Sequence, residues 1–301
     1  MLFSLIALMV CIAAGVIGRL ARLLNDGALT ALTNVLFNIS MPCTIFITMI
    51  RPFSTDLFLE SAFVFGAFTA IQLLGWLFGF ITVKFLRVGA GVKRVWTFAV
   101  IFANVGYMGY PVINAVFGGE ALIYASMVNM SFNIFAYSLG PRLIDPGQKT
   151  SKYNWRGIFF TPVMIATILG LICFTVSFSP PKPVADGINY IANLTTPLSM
   201  LLLGAILGKS DFRALFSGWK VYVVVFVRLI ILPLTALLIF KPLIHNQMAL
   251  SVIVLLSAMP SASVTAIFAQ KYNADADQAA RVVFISTVLS LITVPAISLL
   301  L

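Results

Sequence analysis

Ten apolar runs, each about as long as a bilayer is thick, constrain this chain more than any single motif. A helix crosses the hydrocarbon in about 20 residues. The runs are Leu2–Leu20, Leu29–Ile50, Leu57–Phe85, Val95–Phe117 and Ala121–Leu139, then Ile158–Phe178, Ile188–Leu207, Val221–Phe240, Met248–Gln270 and Ala279–Leu301. Only 9% of the residues are charged, against about 25% in a soluble domain. A globule in water could not bury so much apolar surface, so the expected fold is an all-α polytopic membrane protein whose solvent is lipid. The net charge of +10 does not indicate nucleic acid, because the basic residues sit singly in short loops between apolar runs.

Those loops set an orientation. Odd-numbered loops carry Arg19 and Arg22; Lys84, Arg87, Lys93 and Arg94; Arg142, Lys149, Lys152 and Arg156; Lys209, Arg213 and Lys220; and Lys271 and Arg281. Even-numbered loops carry only Arg51, Lys182 and Lys241. The positive-inside rule places the odd loops in the cytoplasm and both termini on the extracytoplasmic side. The first run lacks the basic leader of a signal peptide and reads as a span. The polar segment 141–156 divides the chain into halves, 1–140 and 157–301, of five spans each. An odd number of spans per half makes the second half an inverted repeat of the first. Asn38-Ile-Ser-Met-Pro42 in span two and Asn193-Leu-Thr-Thr-Pro197 in span seven echo one another.

Span four is built to break. Gly106, Gly109 and Pro111 fall within six residues. Glycine is poor in a helix interior, and proline removes a donor and clashes with the preceding turn. Residues before Pro111 are expected to unwind, with Pro111 opening a second half-helix. Asn104 and Tyr107 lie beside the break. The alternative is a helix merely kinked by proline, a common feature of membrane spans. Span nine carries Ala258-Met-Pro-Ser-Ala-Ser-Val264, again with a proline near mid-span and small polar neighbours. Broken helices at corresponding positions of two inverted halves point to a substrate site at the midplane. Half-helix starts near Pro111 and Pro260 would present free N–H groups and partial positive charge, which suits a carboxylate. Asn104, Ser261 and Ser263 could add neutral donors.

Other polar residues in the spans carry less information. Asn129 and Asn133 share one face of span five and are read as facing the site. Ser286, Thr287 and Ser290 in span ten are read as bonds between neighbouring helices. Arg228 is the one charge deep in a span, within VYVVVFVRLIILP. Two readings stand for it: a clamp for an anionic substrate, or a side chain snorkelling to the cytoplasmic face.

Several chemistries are excluded. The acidic residues lie in loops or at span ends, with Glu60 at the outer start of span three the marginal case, so proton coupling through a carboxylate has no support. His245 is the sole histidine, and Cys11, Cys43 and Cys173 lie unpaired within apolar runs and read as buried small hydrophobes. No metal site, no cofactor and no enzyme activity are expected; there is no phosphate-binding loop and no nucleophile beside a base.

At Ala103-Asn-Val-Gly-Tyr-Met-Gly-Tyr-Pro111 the chain resembles the fourth-helix signature of the auxin efflux carrier family. That family includes the plant PIN-FORMED auxin exporters and bacterial carriers named malonate transporters. The resemblance continues through Met259–Asn273 and Ser286–Pro295, and includes Leu36-Phe-Asn-Ile-Ser-Met-Pro42. It implies ten transmembrane helices in two inverted five-helix repeats, with broken helices 4 and 9 crossing, as in the NhaA/bile-acid-symporter-like elevator fold. It implies a scaffold of spans 1, 2, 6 and 7, forming a homodimer, and a transport domain of spans 3–5 and 8–10. Asn104 resembles the asparagine that receives the substrate's carboxylate, and Pro111 and Pro260 the crossover prolines. Val64 stands where plant members have a lysine, and segment 141–156 is short where theirs is long. The implied function is a secondary carrier of small carboxylates in a bacterial-type inner membrane, rather than of auxin. The rivals are a sodium-coupled symporter of the bile-acid type and a membrane receptor that binds a carboxylate without moving it.

Overall fold

The computed structural model describes residues 2–144, 160–209 and 218–301. Most of the expected dividing segment, together with Lys149, Lys152, Arg156 and Arg213, lies outside the described residues. Within them every regular element is helical, and the one β-type pairing is an isolated bridge between Ala103 and Ser261.

The helices are α1 (Leu2–Leu20), α2 (Asp26–Val35), α3 (Met41–Met49), α4 (Thr55–Phe85), α5 (Ala90–Ile101), α6 (Tyr110–Phe117), α7 (Leu122–Ser138) and α8 (Gly140–Ile144). They continue as α9 (Pro162–Thr175), α10 (Lys182–Ala192), α11 (Thr195–Lys209), α12 (Trp219–Phe226), α13 (Leu232–Phe240), α14 (Gln247–Ser257), α15 (Val264–Lys271) and α16 (Ala276–Ser298). Among the described residues, five helical stretches are long and apolar enough to cross a membrane: Asp26–Met49, Thr55–Phe85, Lys182–Gly208, Trp219–Phe240 and Ala276–Ser298. Four helix starts are capped by side chains: Asn25 caps α2, Thr161 caps α9, Asn246 caps α14 and Asp275 caps α16.

At three places a π-helical turn ends two residues before a proline. Leu36–Ser40 precedes Pro42, Val105–Gly109 precedes Pro111, and Val227–Ile231 precedes Pro233. A proline ring clashes with the carbonyl four residues back and cannot bond it. The wider π turn moves that carbonyl aside, so the helix continues past the proline.

The chain forms two compact units that each draw on both halves of the sequence: Met1–Phe63, Gly106–Met130 and Trp155–Ser210 in the first, and Val64–Val105, Ser131–Asn154 and Asp211–Leu301 in the second. In the first unit α1 lies on α11 at backbone contact. A Cβ added to Gly15 would stand 2.1 Å from the Leu201 carbonyl oxygen, and one on Gly204 would stand 1.9 Å from that of Ile12. Gly208 meets Arg19 and Val16 one turn on. Gly204 and Gly208 are four apart, the small-residue spacing that lets membrane helices approach closely. Cys11, Cys43 and Cys173 are free and half-buried, where full burial was expected.

In the second unit α4 and α5 approach in the same manner. Gly75 and Gly79 would each place a Cβ 3.1–3.2 Å from α5, at Ile101 and Thr97. The core of this unit is aromatic at one end, where Phe98 packs on Phe102 and Phe268.

Candidate functional site at the paired helix breaks

Span four and span nine are both broken, and within the second unit their breaks pair with each other. Helix α5 ends at Ile101, and Phe102 turns extended, at φ −101° and ψ 113°. Helix α14 ends at Ser257, and α15 begins only at Val264. Between these ends Ala103 faces Ser261 in antiparallel register. The Asn104 amide donates to the Pro260 carbonyl and the Ala262 amide to the Phe102 carbonyl, both at 2.8 Å. Backbone groups freed by the two breaks thus satisfy one another, as they must at membrane depth. Swapping the two segments exchanges these hydrogen bonds.

The break in span four lies upstream of where Gly106, Gly109 and Pro111 suggest. Residues 102–104 carry the extended backbone, whereas Val105–Gly109 is already a π turn and Pro111 sits in the first turn of α6. Proline strain is absorbed locally by that turn, so the chain opens where the backbone finds a partner strand. Gly106, half-buried, packs on Phe37 and Met41 in the first unit. Tyr107 there donates to Thr33 Oγ1 at 2.9 Å and sets its ring edge-on to Phe37.

Arg228 sits in the π turn before Pro233 and is 1% exposed. Its guanidinium donates to three backbone carbonyls at the two breaks: Nε to Met259 at 3.1 Å, Nη1 to Val100 at 3.0 Å and Nη2 to Ser257 at 2.9 Å. Val100 and Ser257 are at the C-terminal ends of α5 and α14, where unsatisfied carbonyls carry partial negative charge. One cation therefore serves two helix ends. The side chain is directed at the breaks and is fully enclosed rather than extended towards a membrane surface.

The small polar residues complete the arrangement. Ser261, fully buried, donates from Oγ to the Ala99 carbonyl at 3.0 Å, and its amide donates to Ser286 Oγ at 3.1 Å. Ser286 of span ten thus bonds a neighbouring segment, as expected of it. Asn104 donates from Nδ2 to Ser263 Oγ at 3.4 Å, next to the first turn of α15. The structure therefore brings Asn104, Pro260, Ser261, Ser263 and Arg228 together. Gly106, Tyr107, Gly109, Pro111 and Asn129 belong to the first unit, and Asn133 to the second. Asn129 and Asn133 are both buried, and Asn129 Nδ2 has no hydrogen-bond partner.

Sequence reading passed over several polar contacts. Tyr110 Oη donates to Ser126 Oγ at 3.2 Å, and Asn114 Nδ2 donates to Thr196 Oγ1 at 3.2 Å. Tyr124 Oη donates to Glu60 at 2.5 Å, occupying the one marginal carboxylate. Ser40 Oγ lies 2.5 Å from Thr195 Oγ1, and Thr44 Oγ1 2.7 Å from the same oxygen. Ser40 and Thr195 are the middle residues of the two Asn-x-x-x-Pro echoes. The echo itself was the available signal for that contact.

Comparison with known proteins identifies the family. A model of the membrane transport protein family matches residues 1–154 and 148–298. The chain belongs to that family, the auxin efflux carriers its motifs resemble. It is 30% identical over 299 residues to an uncharacterized transporter of Methanothermobacter thermautotrophicus, covering 97% of this chain and 95% of the relative. A transporter of Methanocaldococcus jannaschii is 26% identical, covering 95% and 94%. A Rhizobium meliloti protein named for malonate transport is 24% identical, covering 65% and 63%.

Proposed function

We propose that this membrane transporter is a secondary carrier of small organic anions, carboxylates above all, that binds its substrate beside the paired breaks. The observation that carries the reading is the bridge between Ala103 and Ser261. Non-helical backbone at membrane depth persists where it is buried in protein or lines a cavity, and transporters use it there to bind substrate. Past the bridge, the start of α15 lies next to the Asn104 amide and the Ser263 hydroxyl, a neutral polar pair suited to a carboxylate. The relative named for malonate transport favours a small dicarboxylate. Asn104 is the residue assigned to the carboxylate. Arg228 holds the crossover, its three donors being directed at backbone carbonyls.

The fold that goes with this function has ten spans in two inverted repeats, with odd loops in the cytoplasm and both termini outside. Its support is the exchange symmetry of the bridge and the contact between Ser40 and Thr195, equivalent positions of two echoes. Spans 3–5 and 8–10 then move as a transport domain against a dimeric scaffold of spans 1, 2, 6 and 7, in an elevator cycle. The test is uptake by proteoliposomes of labelled carboxylates, from lactate through malonate to indole-3-acetate, with and without sodium. Saturable uptake of one small acid, independent of sodium, is expected. Strict sodium dependence would move the account to a symporter, and binding without flux to a receptor.

A further inference from the structure

Away from the paired breaks, the second unit carries a long amphipathic groove that the transport reading does not use. Its deeper part, about 500 Å³, lies among α4, α5, α7 and α8 and is walled by Leu73, Trp76, Ile101, Phe102, Phe135 and Leu139. Arg94 and Arg142 border it. A second hollow, about 420 Å³, shares Trp76, Arg94 and Leu143 with the first and adds Phe80, Lys84 and Lys93. Among the described residues, no carboxylate borders either hollow.

Position along the helices sorts the groove into a charged end and an apolar end. Lys84 is in the last turn of α4, and Lys93 and Arg94 are in the first turns of α5, so the cations gather where these spans meet water. Ile101 lies seven residues further along α5, which is about 10 Å deeper at 1.5 Å per residue. The groove wall is not covered by protein: Leu73 is 51% exposed, Trp76 49% and Phe80 56%. In a chain that spans a membrane, surface of that kind at that depth faces hydrocarbon. Trp76 and Phe80 sit between the apolar wall and the cations, as aromatics do near an interface.

We propose that this groove seats an anionic phospholipid, with its phosphate among Lys84, Lys93 and Arg94 and one acyl chain lying along Trp76 towards Phe135 and Leu139. Charge complementarity selects the headgroup, and the apolar hollow selects a molecule with a chain. A soluble anion would satisfy the cations and leave the deeper hollow unfilled. A zwitterionic lipid would fill the hollow but bring its own cation against three others. The inference is independent of which substrate the protein carries.

The test uses the full chain in detergent, with retention of phosphatidylglycerol and phosphatidylcholine read by native mass spectrometry. Wild type is expected to retain phosphatidylglycerol over phosphatidylcholine. Lys93→Gln with Arg94→Gln should cut that preference about fivefold per charge removed. Leu139→Trp, which fills the deeper hollow and keeps every cation, should also release the lipid. Lys182→Gln with Lys241→Gln removes two cations elsewhere and should change nothing. Equal retention of both lipids by wild type would overturn the proposal. So would loss of preference in the charge variant with full retention in Leu139→Trp, which is the result of surface attraction without a seated chain. Should a variant fail to fold, wild type alone decides: a phosphatidylglycerol with a photoreactive acyl chain must label the segments around Trp76 and Phe135, and labelling elsewhere contradicts the assignment.

Discussion

An arginine at the centre of a span costs about 2.5–3.5 kcal/mol on insertion scales. Arg228 offsets that cost with three hydrogen bonds to carbonyls which, without it, would be buried and unpaired at the ends of α5 and α14. Arg228→Met leaves three such acceptors orphaned at about 1–3 kcal/mol each. Its thermal unfolding in detergent should therefore fall by at least about 3 kcal/mol, or the protein should fail to accumulate. Arg228→Lys keeps the charge but replaces a planar fork by a point donor, and should recover only part of the loss. A wild-type melting curve for Arg228→Met would show that the guanidinium does not hold the breaks. Ser261→Ala removes one bond to the Ala99 carbonyl and should cost about 1 kcal/mol. Sequence alone marked Arg228 and Asn104 because charge and amide are rare in apolar runs. It could not mark the partners of Arg228, because those are main-chain oxygens of Val100, Ser257 and Met259, and a backbone acceptor leaves no trace in residue type.

At the scale of elements, glycine and proline play distinct parts. Three prolines do not break their helices: Pro42, Pro111 and Pro233 each follow a π turn that absorbs the ring, and the helix runs on. That is why the break in span four was legible as an event but was placed too close to Pro111. The actual opening, residues 102–104, contains neither glycine nor proline, and is fixed by pairing with residues 260–262 of a distant segment. No local propensity encodes such a partner. Glycines instead mark where helices touch. Gly204→Leu would drive a side chain into the Ile12 carbonyl on α1, and overpacking of this kind costs about 1–3 kcal/mol or more. Gly187→Ala, in α10 with nothing within 4 Å, should stabilise by about 0.5–1 kcal/mol. Unfolding midpoints of the two variants should move in opposite directions, and a shared direction would contradict the assigned contact between α1 and α11.

For the whole molecule, an all-helical chain with apolar stretches long enough to cross a membrane was legible because membrane depth imposes a fixed length on a span. The family, too, was legible from Asn104 through Pro111 and from Met259 through Asn273, and the match along residues 1–154 and 148–298 bears it out. Sequence order by itself does not show that the halves interleave; that expectation comes only from the family resemblance. Each compact unit takes helices from both halves, so neither half folds around a core of its own. Cutting the chain within 145–156 and expressing the halves separately should give no stable product from either one, whereas co-expression should restore a folded complex. Stable, monodisperse single halves would contradict that account.

Carriage of a carboxylate held at the paired breaks is the function proposed for this protein. It is tested most directly by labelled malonate counterflow in proteoliposomes containing wild type, Asn104→Ala or Gly187→Ala at equal folded amounts. Saturable counterflow in wild type and Gly187→Ala, reduced at least about tenfold in Asn104→Ala, which corresponds to about 1.4 kcal/mol of lost binding, is the predicted result. Undiminished counterflow in Asn104→Ala would remove the carboxylate from the paired breaks.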